Sequence, residues 1–195
     1  MAFINKEANE IICKIVYFGP SLGGKTTNVQ WVYRNIADTE QARLFTINNP
    51  DRTMIFDWLP VHVGEIRGLK TRLHLYTTPG QVGLEDRRRF VTKGLDGVVF
   101  VADSQVERAE ENLESLRDLE TLLGQQGYDM QKVPMVFQYN KRDLPNAVPL
   151  AEMRRTLNKY NSPDFEAVAS LGQRVYDSLK TIAKSIITTL KGGEA

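Results

Sequence analysis

GPSLGGKTT, residues 19–27, follows the apolar run IICKIVYF (11–18) and opens the helical pattern KTTNVQWVYRNIA (25–37). It fits G-x-x-x-x-G-K-[ST] with Gly19, Gly24, Lys25 and Thr26. Glycines let successive backbone N–H groups, here from Ser21, Leu22, Gly23, Gly24, Lys25, Thr26 and Thr27, turn inward around phosphate oxygens. The helix N-terminus adds a partial positive charge. Lys25 can reach β- and γ-phosphates, and the Thr26 hydroxyl can ligate Mg²⁺. The competing reading is a Gly-rich turn that only caps a helix; the strand before it, the helix after it and the Lys-Thr pair weigh against that. The pattern leaves the base open, because ATPases and nucleotide kinases share it.

Outward from this loop, apolar β-branched runs alternate with helical patterns. TMIFDWLPVHV (53–63) and LKTRLHLY (69–76) read as strands joined by a turn at GEIRG, the second with the period-2 alternation of a half-buried strand. GVVFVA (97–102) and PMVFQY (134–139) are short continuous apolar runs, expected of central parallel strands. Val106, Ala109, Leu113, Leu116 and Leu123 mark one face of a long helix, with Ser104 and Glu107 as a capping box. Val175, Leu179, Ile182, Ile186 and Leu190 mark a last helix, with Ser170 and Gln173 in the same arrangement. The expected fold class is α/β: one domain over 1–195, a central mostly parallel sheet with helices on both faces. Such folds bind ligands at the carboxyl ends of the strands.

NKRD (140–143) lies at the carboxyl end of PMVFQY. Asp143 can accept from both N1–H and the exocyclic amine of guanine, whereas adenine would leave the carboxylate unpaired. A site built on such bonds discriminates by about 10⁴-fold or more. Lys141 can lay its aliphatic stem along the base, and Asn140 can tie this loop to the phosphate loop. EAVASLG (166–172) occupies the place from which Ala169 or Ser170 would bring an N–H to the guanine O6. The base expected is guanine and the ligands GTP or GDP with Mg²⁺.

Composition sets the outer limits. The 195 residues suit one domain, and 25 Lys and Arg against 24 Asp and Glu point to neither nucleic acid nor a membrane surface. No apolar run approaches the roughly 18 residues that span a bilayer. MAFINKEANE does not read as a secretory signal, Ala2 excludes myristoylation, and KGGEA has no prenylatable Cys. The single cysteine, Cys13, excludes an internal disulfide and reads as a packed strand residue. The expectation is a cytoplasmic protein with no anchor of its own. His62 and His74 are isolated and suggest no zinc site.

The series GPSLGGKTTN, DRT, TTPGQ, NKRDLPNAV, with FINKEANEIICKIVYFGP and GVVFVADSQVER, resembles the bacterial Ras-like small GTPases of the gliding-motility MglA family. The resemblance runs from about residue 3 to the last helix. It implies a Ras-like P-loop fold, a GTP/GDP switch in cell polarity and motility, and slow hydrolysis assisted by a dimeric roadblock-type, MglB-like activator. It also implies polarity and motility effectors, a chain that is monomeric when free, and recruitment to a cell pole through partners. By the same resemblance Arg52 is an arginine finger carried in cis, Gln81 orients the attacking water and Gly80 gives its N–H to the γ-phosphate. Thr26 and Thr53 are the two hydroxyl ligands of magnesium, and residues 46–64 and 80–93 change shape between states.

Three positions bear on how such a site would work. Ras proteins carry an Asp where this chain has Thr77; the family shares the replacement, and one partner among the magnesium-bound waters can be changed. Ser21 stands where the family has Gly and would crowd Gln81 or Arg52. GLEDRRRFVTKG (83–94) is more charged than its family counterpart, with Arg87, Arg88 and Arg89 reading as a solvated helix face. Trp58 and Phe56 read as core rather than partner anchors. Two other functions stay open: a GTP-binding scaffold with little hydrolysis, because Ser21 and Thr77 weaken the site, and an ATP-using kinase or ATPase.

Overall fold

The computed structural model describes residues 3–5, 9–35, 44–49, 52–66, 69–80 and 83–192, of which 3–5, 46–49, 52–56, 63–66, 69, 191 and 192 are described by backbone alone. The apolar runs become strands β2 (Glu10–Phe18), β4 (Arg52–Ile66), β5 (Leu69–Thr77), β6 (Gly97–Asp103) and β7 (Met135–Asn140). Short strands β1 (Phe3–Asn5), β3 (Phe45–Asn49) and β8 (Asp164–Glu166) complete a single sheet of order β3-β4-β5-β2-β6-β7-β8, with β1 on β2. β5, β2, β6, β7 and β8 run parallel; β1, β3 and β4 join antiparallel. The helices are α1 (Lys25–Asn35), α2 (Glu85–Thr92), α3 (Ala109–Gln125), α4 (Leu150–Leu157) and α5 (Val175–Gly192). The expected α/β architecture is the observed one.

Alternation along the central strands explains the two covered faces. Cys13, Ile15 and Tyr17 of β2 join Val99, Val101 and Val136 in a core closed by Val29 and Val32 of α1 and by Leu179, Ile182 and Ile186 of α5. Val16 and Phe18 join Phe100, Phe137 and Tyr139 under Leu116 and Leu119 of α3, Val91 of α2 and Met153 of α4. A strand buried on both faces has no polar face to show, hence its unbroken apolar run. Burial pushes the Cys13 thiol up to about 12, so it stays an unreactive packing group.

One polar network crosses the first core. The Asn28 and Gln138 side chains exchange two hydrogen bonds (2.7 and 2.9 Å), Gln138 Nε2 also reaches the Ser178 Oγ at 3.2 Å, and Asn28 Nδ2 donates to the Gly24 carbonyl at 2.9 Å. It fixes α1, β7 and α5 in one register beneath the two loops singled out in the sequence.

Several local expectations change. β4 runs on through Gly64 to Ile66, with a register shift between His62 and Glu65, so GEIRG is mostly strand. Neither capping box forms. A 3₁₀ turn, Val106–Arg108, intervenes before α3, its start has no side-chain cap, and the buried Ser104 Oγ has no hydrogen-bond partner. Ser170 lies in a second 3₁₀ turn, Ala169–Leu171, ahead of α5. Arg87–Arg89 are not one wet face. Arg89 is exposed and Arg87 half-buried, but Arg88 is buried against Asp118 of α3. Trp58 is half-buried and stacks on Phe45 at 4.9 Å, while the Phe56 side chain lies outside the described residues. Among the described residues no helix is long and apolar enough to cross a membrane.

Candidate phosphate and base site

The parallel topology delivers both sequence loops to one edge. β2 ends at Phe18 and β7 at Asn140, so residues 19–24 and 141–144 emerge side by side. One carboxamide joins them. Asn140 Nδ2 donates to the Gly23 carbonyl at 2.8 Å, and Asn140 Oδ1 accepts the Ala169 N–H at 2.9 Å. This approach is possible because residue 24 is glycine: a Cβ there would stand 2.1 Å from Asn140 Nδ2, at a φ of 104° that side chains disfavour.

Beside Asn140 a cavity of about 260 Å³ is lined by Leu22, Gly24, Thr27, Lys141, Asp143, Val168 and Ser170, among others. Lys141 takes a positive φ of 64°, and its ammonium pairs with the buried Asp103 carboxylate at 2.5 Å. Asp103 is held in turn by Asn112, which accepts its N–H at 2.9 Å and donates to its carbonyl at 2.7 Å. Of the two residues considered for an N–H toward the base, Ala169 has given its N–H to Asn140, while Ser170 lines the cavity.

At the phosphate loop Lys25 is buried, donating to the carbonyls of Gly19 at 2.8 Å and Pro20 at 2.6 Å. Burial, then the nearby Arg88 and Arg108 charges, pull its ammonium down to about 7. Residue 80 rests on the same loop, where a Cβ would come within 2.5 Å of Ser21 Cα and 2.8 Å of Lys25 Nζ. Ser21 is also held from α3's side by Arg108, whose Nη2 donates to its carbonyl at 2.7 Å. Between these groups a second cavity, about 450 Å³, opens along Gly19, Ser21, Gly80, Arg88, Arg108 and Asp118. Arg88 pairs with Asp118 at 2.6 Å and Glu85 at 3.3 Å.

The carboxylate that Thr77 lacks stands on the neighbouring strand. Trp58 pairs with Tyr76 in the antiparallel β4–β5 ladder, which places Asp57 against Thr77. Asp57 is buried. Its N–H donates to Thr77 Oγ1 at 2.8 Å, and its Oδ2 accepts from Thr77 Oγ1 at 3.1 Å and from Thr26 Oγ1 at 2.7 Å. Hard oxygen donors of this kind fit a magnesium ion that keeps most of its remaining positions for water and phosphate. No three His, Cys, Asp or Glu side chains gather as a metal cage among the described residues, so any metal here would depend on ligand oxygens.

Gln81 lies outside the described residues, and so do the side chains of Arg52 and Thr53, whose backbone opens β4. Asp57, Asp103, Arg88 and Arg108 were not singled out by the sequence reading as parts of the site. Asp57 did carry a signal, being a lone carboxylate inside the apolar run MIFDWLPV. Arg108 sits in DSQVER, where Ser104, Val106 and Glu107 give helix signals and the arginine gives none of its own.

Known proteins bear on the same residues. The profile of the ADP-ribosylation factor family matches residues 4–186. The mutual gliding-motility protein MglA of Myxococcus xanthus (strain DK1622) is 55% identical over 194 residues, 99% of this chain and 100% of its own. The ADP-ribosylation factor-like protein 4A of Homo sapiens is 31% identical over 144 residues, 73% of this chain and 64% of its own. The Ras-related protein Rab-7a of Dictyostelium discoideum is 26% identical over 182 residues, 91% of this chain and 84% of its own. With its strand–loop–helix phosphate cradle and the loop that faces it, the chain belongs to the ADP-ribosylation factor family of Ras-like small GTPases, in the branch of MglA.

Proposed function

We propose that this chain is a switch that binds GTP, hydrolyses it slowly on its own to GDP and phosphate, and is read by partners that distinguish the two states. The observation that carries this is the Asn140 bridge, which sets the phosphate loop and the Asp143 cavity at one fixed separation. In this reading Asp143 accepts from N1–H and the 2-amine, Lys141 is held over the base by Asp103, and Ser170 donates to O6. The N–H groups of residues 21–27 and the Lys25 ammonium hold the phosphates. The kinship with a gliding-motility protein supports a role in motility; to this the reading adds polarity, a roadblock-type activator, effectors, and a cytoplasmic chain drawn to a cell pole by partners.

Thr26 and Thr53 would hold magnesium, which when bound would supply positive charge to offset that of the phosphates. Asp57 takes the place of the carboxylate absent at Thr77, orienting the Thr26 hydroxyl from across the β4–β5 ladder. Gln81 orients water, whose oxygen attacks the γ-phosphorus as the bond to the β–γ bridging oxygen breaks. Arg52 places a guanidinium on the charge that develops there, and Gly80 donates its N–H to a γ-phosphate oxygen.

Competition against a fluorescent guanine nucleotide tests the base. GTP should outcompete ATP by about 10⁴-fold, and Asp143→Ala should erase most of that margin; equal affinities in the wild type overturn the reading. Single-turnover phosphate release, with and without an activator, tests the chemistry. Arg52→Ala should slow it by about 10³-fold and Gln81→Leu should also slow it, whereas a wild type no faster than either variant leaves a binding scaffold.

Asp57→Asn keeps the shape of the buried site and removes its charge. The magnesium concentration needed to retain GDP should rise by about 10–100-fold, read from fluorescent GDP release across a magnesium series. An unmoved midpoint would show that Thr77 is not compensated by residue 57.

Lys25 supplies the pH dependence. With its free-state pKa near 7, it is mostly neutral at pH 8, while phosphate contact requires the ammonium. Binding at pH 8, where the nucleotide phosphates are already ionised, should therefore take up roughly one proton, and affinity should fall as pH rises from 7 toward 9. Calorimetry in two buffers of different ionisation enthalpy measures this; zero uptake would mean that Lys25 is charged before the ligand arrives.

A further inference from the structure

The turn that faces the base cavity is closed by Gly172, and the closure has a neighbour that the hydrogen bonds do not reveal. Gly172 follows the 3₁₀ turn Ala169–Leu171 at a φ of 74°, donating its N–H to the Ala169 carbonyl at 3.2 Å. The Trp31 indole lies directly on its Cα: a Cβ at residue 172 would stand 2.0 Å from Trp31 Nε1, 2.2 Å from Cε2 and 2.6 Å from Cζ2. Left-handed backbone by itself tolerates Asn or Asp. The indole adds a steric bar, because any Cβ at residue 172 requires the ring to move.

The indole is seated from beneath. Trp31 packs against the core that contains Val29, Val32, Ala169 and Val175, and its helix is the one that Lys25 and Thr26 open. The turn has other supports: the Leu171 N–H donates to the Val168 carbonyl at 3.0 Å and the Val175 N–H to the Gly172 carbonyl at 3.3 Å. Asn140 accepts the Ala169 N–H at its start, and Val168 and Gln173 exchange backbone hydrogen bonds of 3.1 and 3.3 Å across its base. These bonds shape the turn and tie it to β7 and α5, and none of those named reaches α1, the phosphate-side helix. A rigid, two-torsion aromatic ring of α1, pressed on a bare Cα, makes that link.

We propose that Trp31 is a positioning residue for purine selection: its indole, stopped against Gly172, holds the 169–172 turn at the depth where the Ser170 N–H meets the oxygen at C6. The inference rests on the guanine reading above and adds to it a group on the phosphate-binding helix that reaches the base through the turn. A ring that only filled core would lower stability and leave the choice of base alone.

The test measures GDP, inosine diphosphate and the diphosphate of 2,6-diaminopurine riboside in competition, with melting temperatures recorded for each variant. Inosine keeps O6 and N1–H and lacks the 2-amine; diaminopurine keeps the 2-amine, carries an amine at C6 and lacks the N1–H, a loss to Asp143 that is the same in wild type and Trp31 variants. In Trp31→Ala the preference for GDP over the diaminopurine nucleotide should fall about tenfold or more, while the preference over inosine diphosphate, set by Asp143, stays within about twofold. Trp31→Phe should restore most of the lost margin, and Gly172→Ala, where it folds, should behave as Trp31→Ala. Should Trp31→Ala keep both ratios, or lose both together, the positioning role is wrong. A wild type that does not prefer GDP over the diaminopurine nucleotide refutes the guanine reading itself, whatever Trp31 does.

Discussion

A single primary amide, that of Asn140, has its donor on the Gly23 carbonyl and its acceptor on the Ala169 N–H. Each bond contributes about 0.5–1.5 kcal/mol net, but a buried carbonyl or N–H left without its partner costs about 1–3 kcal/mol. The asymmetry makes the bridge a constraint on three loops more than a source of stability. Gly24 follows from it, since any side chain there would occupy the position of Asn140 Nδ2. The Asn28–Gln138–Ser178 network follows it one layer down, holding α1 against β7 so that the bridge has a fixed span to cross. Phosphate and base ends are in this way built as one object, and a ligand that satisfied only one end would meet a site already shaped for both.

The question posed by Thr77 has an answer in strand register. Asp57 reaches the Thr26 hydroxyl from one strand over, with Thr77 serving as its hydrogen-bonding brace. Exchanging the two roles across an antiparallel pair keeps a single buried negative charge beside the phosphate loop. Two carboxylates there would repel at close range, so the absence of Asp at 77 and its presence at 57 are one feature.

Local sequence made some of this legible and long-range pairing hid the rest. The G-x-x-x-x-G-K-[ST] pattern is continuous in the chain, so its place between β2 and α1 was legible from spacing alone. NKRD was legible for the same reason. The core strands β2, β6 and β7 were legible because burial on both faces leaves an uninterrupted apolar run. β3 and β8 were not, since FTINN and DFE are short and owe their pairing to β4 and β7 instead of to their own composition. The capping boxes at Ser104 and Ser170 failed because 3₁₀ turns at 106–108 and 169–171 occupy the places where the helices were expected to begin. Arg88 reads as solvated between two other arginines; only the packing of α2 on α3 turns it inward to Asp118. Asp57 and Trp31 needed knowledge of what lies across from them, which no single window of sequence carries.

The end of the site away from the base is governed by charge. Lys25, Arg88 and Arg108 converge around Ser21 and Gly80, enough like charge to lower the Lys25 pKa beyond what burial does. The two guanidiniums supply positive charge, Lys25 adds to it when protonated, and all three groups are tied elsewhere. Lys25 is tied to two carbonyls of its own loop, Arg88 to Asp118 and Glu85, and Arg108 to Glu111 and the Ser21 carbonyl. An anion entering here therefore finds positive potential prepaid by the fold, at the cost of competing with partners already in place. Arg88 adds a mechanical consequence. Its guanidinium pairs with Asp118 of α3 and donates to the Pro79 carbonyl at 3.5 Å, so α2 and residue 79 are both tied to α3. The loop that rests on Ser21 and Lys25 is in this way joined to the outer helical layer through one guanidinium.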